Sequence, residues 1–394
     1  MDHIRENMAE RIYMDWNATA PLLNEARDAM LAALAMPGNP SSVHAEGRTA
    51  RALVEKARRQ VAELVGAAPA NVIFTSTATE AANFVLSPRY RMGRSLLAVG
   101  RAYVSAIEHP AVRQGGRFSP DCVTEIPVTR QGVVDLDALE RALADHPADQ
   151  GMPLVAVMLA NNETGVIQPV EAVGKLVHAK GGLLLVDAVQ AVGRILVDIA
   201  ALDADFLIVS AHKLGGPKGA GAVVARGEAL MPEPLVRGGG QEKGHRGGTE
   251  NLSAIAGFGA AADHATKDLI NRNLQIAALR DALETGMRSI APDLVIHGAG
   301  QTRIGNTSFF TLPGLKAETG QIAFDLEGVA LSAGAACSSG KVGQSHVLTA
   351  MGLDAGSGGL RLSLGPATTA EDIERVISVF ARIAGRRQLA GHAA

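Results

Sequence analysis

The sequence predicts an α/β protein: a large layered domain with a mostly parallel sheet, followed by a smaller α+β domain. Three observations carry this reading. The chain has 394 residues, too many for one simple core. Between about residues 70 and 225, short runs that are apolar throughout alternate with helical patterns, and strands without polar alternation belong to a sheet covered on both faces. After a glycine-rich stretch at 238–248 the pattern changes to an Ala-rich helix and then to separated strands.

In chain order, the large unit's strands are read at 72–74, 154–159, 183–186, 206–209 and 222–224. Residues 252–290 read as a linking helix, clearest over 271–288. Strands follow at 295–296, 307–310 and 360–363, then a final helix over 369–383, opened by Thr369 with Glu371 and Asp372 in its first turn.

Net charge is −3, and the basic residues are dispersed rather than clustered, which argues against nucleic acid as a direct ligand. No apolar stretch approaches the roughly 20 residues that cross a bilayer. The segment 1–11 mixes charges around no apolar core, unlike a secretory or transit peptide. The two cysteines, Cys122 and Cys337, make neither a disulfide framework nor a Cys-based zinc site, so a reducing cytoplasm and no metal are expected.

Ligands of α/β sheets gather at the carboxyl ends of strands, so polar residues that directly follow apolar runs are the first candidates. Ser210-Ala211-His212-Lys213, followed by Leu214-Gly215-Gly216-Pro217, places an amine in a turn that Gly and Pro keep from becoming helix. A lysine poorly solvated there suits a Schiff-base nucleophile, the alternative being a surface-turn lysine. Asp187 ends an apolar run, where a carboxylate needs a cationic partner such as a protonated pyridine nitrogen, or else caps the next helix. Thr77-Ala78-Thr79 opens a helix whose N–H groups and Thr79 hydroxyl could hold a phosphate, though ordinary capping looks the same. Together these three segments offer one contact for each end of pyridoxal phosphate.

The chain also resembles the cysteine desulfurases of the nitrogen-fixation and iron–sulfur-cluster type, within the fold-type I, class V aminotransferase-like pyridoxal-phosphate enzymes. The resemblance runs from Tyr13 to about Gly365. Its motifs, in family order, are Tyr13-Met14-Asp15-Trp16-Asn17-Ala18-Thr19, Gly38-Asn39-Pro40-Ser41-Ser42-Val43-His44, Glu108-His109-Pro110-Ala111-Val112, Asn161-Asn162-Glu163-Thr164-Gly165, Ser210-Ala211-His212-Lys213, Arg246-Gly247-Gly248-Thr249-Glu250-Asn251, Ser332-Ala333-Gly334-Ala335-Ala336-Cys337 and Arg361-Leu362-Ser363-Leu364-Gly365.

The resemblance implies a large domain with a seven-stranded type of sheet at 21–255, a small domain at 256–394 carrying the Cys337 loop, and an N-terminal segment, 1–20, packed with the small domain. It implies that Lys213 bears pyridoxal phosphate, Asp187 faces the pyridine nitrogen, His109 stacks on the ring and Gln190 bonds its phenolic oxygen. Ala78, Thr79, Ser210 and His212 would hold the phosphate, with Thr249 contributed by the other subunit of a homodimer. Asn162 and Arg361 would hold the carboxylate of L-cysteine, for which a guanidinium is well shaped. Lys213 would take the α-proton and Cys337 the sulfur, giving alanine and a persulfide for an acceptor protein in iron–sulfur cluster assembly, thio-cofactor synthesis or tRNA thiolation.

Cys122 matches no motif and is read as structural or incidental. Thr77 stands where the family commonly has Gly, which implies a less free backbone in the phosphate loop, and Lys243 and His245 stand where arginines are frequent. The loop after Cys337 lacks the usual acidic residue, which bears on the acceptor. Competing readings are a selenocysteine lyase, an aminotransferase, which needs no thiol opposite the cofactor, and a catalytically silent scaffold, which has no need of Lys213, Asp187, His109, Arg361 and Cys337 together.

Overall fold

The computed structural model describes residues 11–334, 344–356 and 358–391. The chain opens with a two-residue strand, β1 (Ile12–Tyr13), and the helices Asn24–Leu34 and Ala45–Leu64. A large sheet then assembles from β2 (Val72–Thr75), β3 (Arg89–Met92), β4 (Ser95–Ser105), β5 (Val123–Ile126), β6 (Met152–Met158), β7 (Leu183–Asp187), β8 (Phe206–Ser210), β9 (Gly221–Ala225) and β10 (Leu230–Pro232). Its main layer has the order β2-β9-β8-β7-β6-β4-β5, and only β9 runs against the rest. β3 and β10 extend the sheet beside the first half of β4 as antiparallel strands, giving nine strands instead of seven.

β2, β7, β8 and β9 are buried along their whole length, as the apolar runs require. One face of the sheet packs with Val61, Leu139, Val173 and Phe258, the other with Phe84, Val85, Val112 and Phe118. Each such fully buried side chain contributes about 1.5–3 kcal/mol.

A second, antiparallel sheet takes the order β11-β12-β15-β14, from β11 (Val295–Ile296), β12 (Thr307–Thr311), β14 (Ser332–Ala333) and β15 (Leu360–Ser363); β13 (Val329–Ala330) pairs in parallel with β1. The expected single helix over 252–290 is in fact two, Leu252–Thr266 and Leu269–Ile290, because Asp268 adopts a left-handed backbone (φ 49°). The break falls where the chain changes cores. Phe258 and Ala262 pack on the large sheet, whereas Ile276, Leu283 and Met287 join Phe310, Phe324 and Phe380 beside the small one. The last helix runs over Ala370–Gly391, longer than its apolar pattern indicates. Thr369 and Asp372 cap its start reciprocally: each side-chain oxygen accepts the other's backbone N–H, at 3.1 and 3.0 Å.

The N-terminal segment joins the two units. Ile12 and Met14 are buried in the small core, Ser363 N donates to Met14 O at 2.8 Å, and Trp16 lies so close to Gly365 that a Cβ there would stand 2.0 Å from the indole. The chain then crosses to the large unit, where Ala20 N donates to the carbonyl of His212 at 2.8 Å.

Candidate active site

The strands β2, β4, β6, β7 and β8 all end at one side of the sheet, and their following residues enclose a cavity of about 590 Å³, a size that suits a small cofactor with its substrate. Ala78, Thr79, His109, Asn162, Asp187, Gln190, Ser210, His212 and Lys213 all line it, and Arg361 enters from β15 of the small sheet. Thr249 is exposed on the glycine-rich loop and does not line this cavity. Cys337 lies outside the described residues.

Lys213 ends a short turn, Ala211–Lys213, that leaves β8 before Gly215 (φ 84°). Its Nζ donates to the backbone carbonyls of Asn17 and Ala18, each at 2.7 Å. These acceptors were not read as site residues from the sequence. The only available signal was the motif string at 13–19, because a carbonyl acceptor carries no residue-type signature.

Asp187 closes β7, and its Oδ1 accepts from Val189 N at 2.9 Å. Burial pushes its carboxyl up to about 6, against the opposing pull of the Val189 N–H and the Lys213 charge. A buried carboxylate with so little compensation fits a protonated pyridine nitrogen. His109 caps the helix Pro110–Arg113, with Nδ1 accepting from Ala111 N at 3.2 Å. That bond assigns the ring proton to Nε2. Burial, then the charges of Lys213 and His346, pushes the imidazole down to about 4, so it is a neutral ring at neutral pH.

At the other end of the cavity, the helix Ala78–Val85 presents its first turn together with buried Ser210 and with His212, whose ring lies 3.2 Å from the Thr19 hydroxyl. Burial and two lysines, Lys213 and Lys218, push His212 down to about 4, and Lys218 also lines the cavity. Helix N–H groups, hydroxyls and a lysine make a donor set for a phosphate. Thr77 in place of Gly does not strain this loop: its φ of −159° is extended, and its Oγ1 accepts from Glu80 N at 3.0 Å as a helix cap. The residues present therefore fit pyridoxal phosphate at both ends.

Arg361 is 2% exposed; one terminal nitrogen donates to Asn162 O at 2.9 Å, the other to Asp15 Oδ1 at 2.8 Å. Its Nε and the side-chain oxygen of Asn162 are buried with no hydrogen-bond partner among the described residues. Unsatisfied buried groups of this kind are costly and mark where a ligand's polar atoms belong. An amino-acid carboxylate suits the Arg361 nitrogen.

A family model described as aminotransferase class-V matches residues 12–376. A cysteine desulfurase of Cereibacter sphaeroides is 40% identical over 387 residues, covering 94% of this chain and 95% of that protein. The cysteine desulfurase IscS of Dictyoglomus turgidum is 36% identical, covering 95% of each. Among solved structures, a NifS-like protein from Rickettsia africae superposes with a TM-score of 0.84 at 33% identity, covering 95% of this chain and 99% of that one. SspA in complex with cysteine superposes with a TM-score of 0.74 at 26% identity, covering 91% of this chain and 100% of that one.

Asp187 yields a stability prediction with a definite sign. The folded apoprotein keeps this proton up to about pH 6, whereas the unfolded chain releases it near 3.8. Folding therefore binds the proton more tightly, and stability falls as pH rises between those values, by about 3 kcal/mol in all. Asp187→Asn apoprotein is expected to melt a few degrees above wild type at about pH 8, with no advantage near pH 4, while binding pyridoxal phosphate at least tenfold more weakly. Calorimetry of both apoproteins checks this; equal melting at the higher pH would contradict the account of Asp187.

Proposed function

We propose, for a chain that belongs to the class-V aminotransferase family and is a pyridoxal-phosphate-dependent cysteine desulfurase, that Lys213, His109 and Arg361 work on L-cysteine in this cavity and that Cys337 receives its sulfur. The observation that carries the reading is the cavity itself, which gathers an amine, a neutral imidazole, a buried carboxyl and an under-bonded guanidinium around a phosphate-ready helix start.

Bound there, pyridoxal phosphate supplies the electron sink that lets negative charge form at the substrate's α-carbon. Arg361 orients the amino acid through its carboxylate, using the Nε–H donor the protein leaves unspent, with Asn162 beside it in the cavity wall. Lys213 takes and returns the α-proton, with the carbonyls of Asn17 and Ala18 holding its Nζ between those tasks. His109, neutral and protonated at Nε2, would lie on the face of the cofactor ring and can donate a hydrogen bond there without adding charge. The Cys337 thiolate then attacks the substrate sulfur. An S–S bond forms, the C–S bond breaks with its electron pair left on carbon, and a proton there completes alanine. Cysteine and one enzyme thiol thus become alanine and a persulfide, with no external oxidant.

The reading extends to a homodimer in the cytoplasm, in which Thr249 completes the partner's phosphate site, and to a second protein that takes the persulfide sulfur into iron–sulfur clusters or thio-cofactors and thiolated tRNA. Support for the shared site comes from Thr249 itself, which stands exposed on the glycine-rich loop and outside the cavity of its own chain. Among the described residues, no helix is long and apolar enough to cross a membrane.

With L-cysteine and no reducing thiol, the wild type should add one sulfur atom to the Cys337 peptide and stop after about one turnover per site. Transfer of that sulfur to a second protein should restart it. Cys337→Ala should still bind pyridoxal phosphate and exchange the α-proton with solvent but make no alanine. Peptide mass spectrometry decides: sulfur on Cys122, or alanine at undiminished rate from Cys337→Ala, would overturn the assignment. For the shared site, mixing inactive Lys213→Ala with Thr249→Ala subunits should restore activity through one intact site per mixed dimer, and activity no higher than either parent would refute it.

A further inference from the structure

Arg194 has no place in the roles assigned so far. It follows β7 by one tight turn, and one terminal nitrogen donates both to the backbone carbonyl of Gln190, at 2.8 Å, and to the Gln190 side-chain oxygen. No carboxylate is bonded to it among the described residues, and the charge it feels most is another cation, Arg361. A cation largely removed from water, beside a second cation and bonded only to neutral carbonyls, is electrostatically incomplete within the chain. Negative charge brought by a bound molecule would complete it.

Gln190 shows where that charge would act. Its Nε2 donates to the carbonyl of Asn17 at 3.0 Å, the carbonyl that also receives the Lys213 amine. Arginine offers donors only and a carbonyl is an acceptor only, so one orientation of the Gln190 amide satisfies both neighbours: oxygen to Arg194, nitrogen to Asn17. The second Nε2 hydrogen is then the one free to serve the cavity that Gln190 lines. A charged donor on the amide oxygen also polarises the amide and strengthens its N–H as a donor.

We propose that Arg194 is a positioning residue that fixes and polarises the Gln190 amide, so that Gln190 presents a strengthened N–H donor to the cofactor's phenolic oxygen. This rests on the reading that Gln190 faces that oxygen. A donor and a positive charge beside the oxygen stabilise its anionic form and weaken its hold on the proton it shares with the neighbouring nitrogen. Removing them raises the pH at which the bound cofactor's visible absorption titrates.

The test is the pH titration of the visible band of the holoenzyme, read together with the rate of cofactor release. Arg194→Met should raise the midpoint by about half to one unit and speed release several-fold. Arg194→Lys, which keeps the charge but cannot reach both oxygens so well, should shift it the same way by less, and carries the test should the Met variant fail to fold. Gln190→Leu should raise the midpoint at least as far. In the double variant, Arg194→Met should add less than half of its single effect. A midpoint that moves in Gln190→Leu but in neither Arg194 variant overturns the role of Arg194, as does full additivity in the double variant. A midpoint unmoved in Gln190→Leu instead refutes the placement of Gln190 on which the inference stands.

Discussion

The carbonyl of Asn17 accepts both the Lys213 amine and the Gln190 amide, and much of the site depends on that shared acceptor. Its position is fixed from both units of the molecule. The Asn17 side chain donates to Asn162 O and Thr307 Oγ1 and accepts from Asn306, while its backbone N–H donates to the Ser363 hydroxyl. Thr307 and Ser363 belong to the small sheet, Asn162 to the strand ends of the large one. Asn17 is 1% exposed with each of its polar groups bonded, and a buried network centred on such a residue is stiff, whereas breaking it is costly. The N-terminal segment therefore works as a structural strap, placing one backbone acceptor between Lys213 and Gln190.

Around that strap the cavity holds charge in an unbalanced arrangement. Arg361 spends part of its donors on Asp15, and Arg194 has only carbonyls among the described residues. His109 and His212 are held neutral by burial and by nearby lysine charge, which keeps further positive charge out of a cavity already rich in it. Asp187, the carboxyl at the far end, sits well above its ordinary range because burial outweighs its few partners. Such a site binds a molecule that is anionic at phosphate, phenolic oxygen and carboxylate and cationic at its ring nitrogen, since each group relieves a cost the protein carries alone.

Much of this was legible in the sequence because α/β sheets place chemistry at strand ends. Apolar runs ending in Asp187, in Ser210-Ala211-His212-Lys213 and in Asn161-Asn162 identify the cavity wall before any fold is known. What escaped reading has physical causes. β3 leaves Arg89, Arg91 and Met92 exposed, so it lacks the continuous apolar signal of the central strands. The helix break at Asp268 has neither Gly nor Pro to mark it; it is set by the passage from one core to the other. Arg194 reads as an ordinary polar residue of a turn, and its importance appears only with its bonds to Gln190. Thr77 was expected to restrict the phosphate loop, but its extended backbone makes the missing Gly immaterial.

The central claim is that Lys213, held by the carbonyls of Asn17 and Ala18, is the amine that carries the cofactor. Lys218 lines the same cavity and is the natural rival. Borohydride reduction of the yellow holoenzyme, followed by proteolysis and mass mapping, separates the two. The account predicts a phosphopyridoxyl group on the peptide containing Lys213, with Lys218 unmodified. Label on Lys218, or a reduced protein with no fixed cofactor, would contradict it.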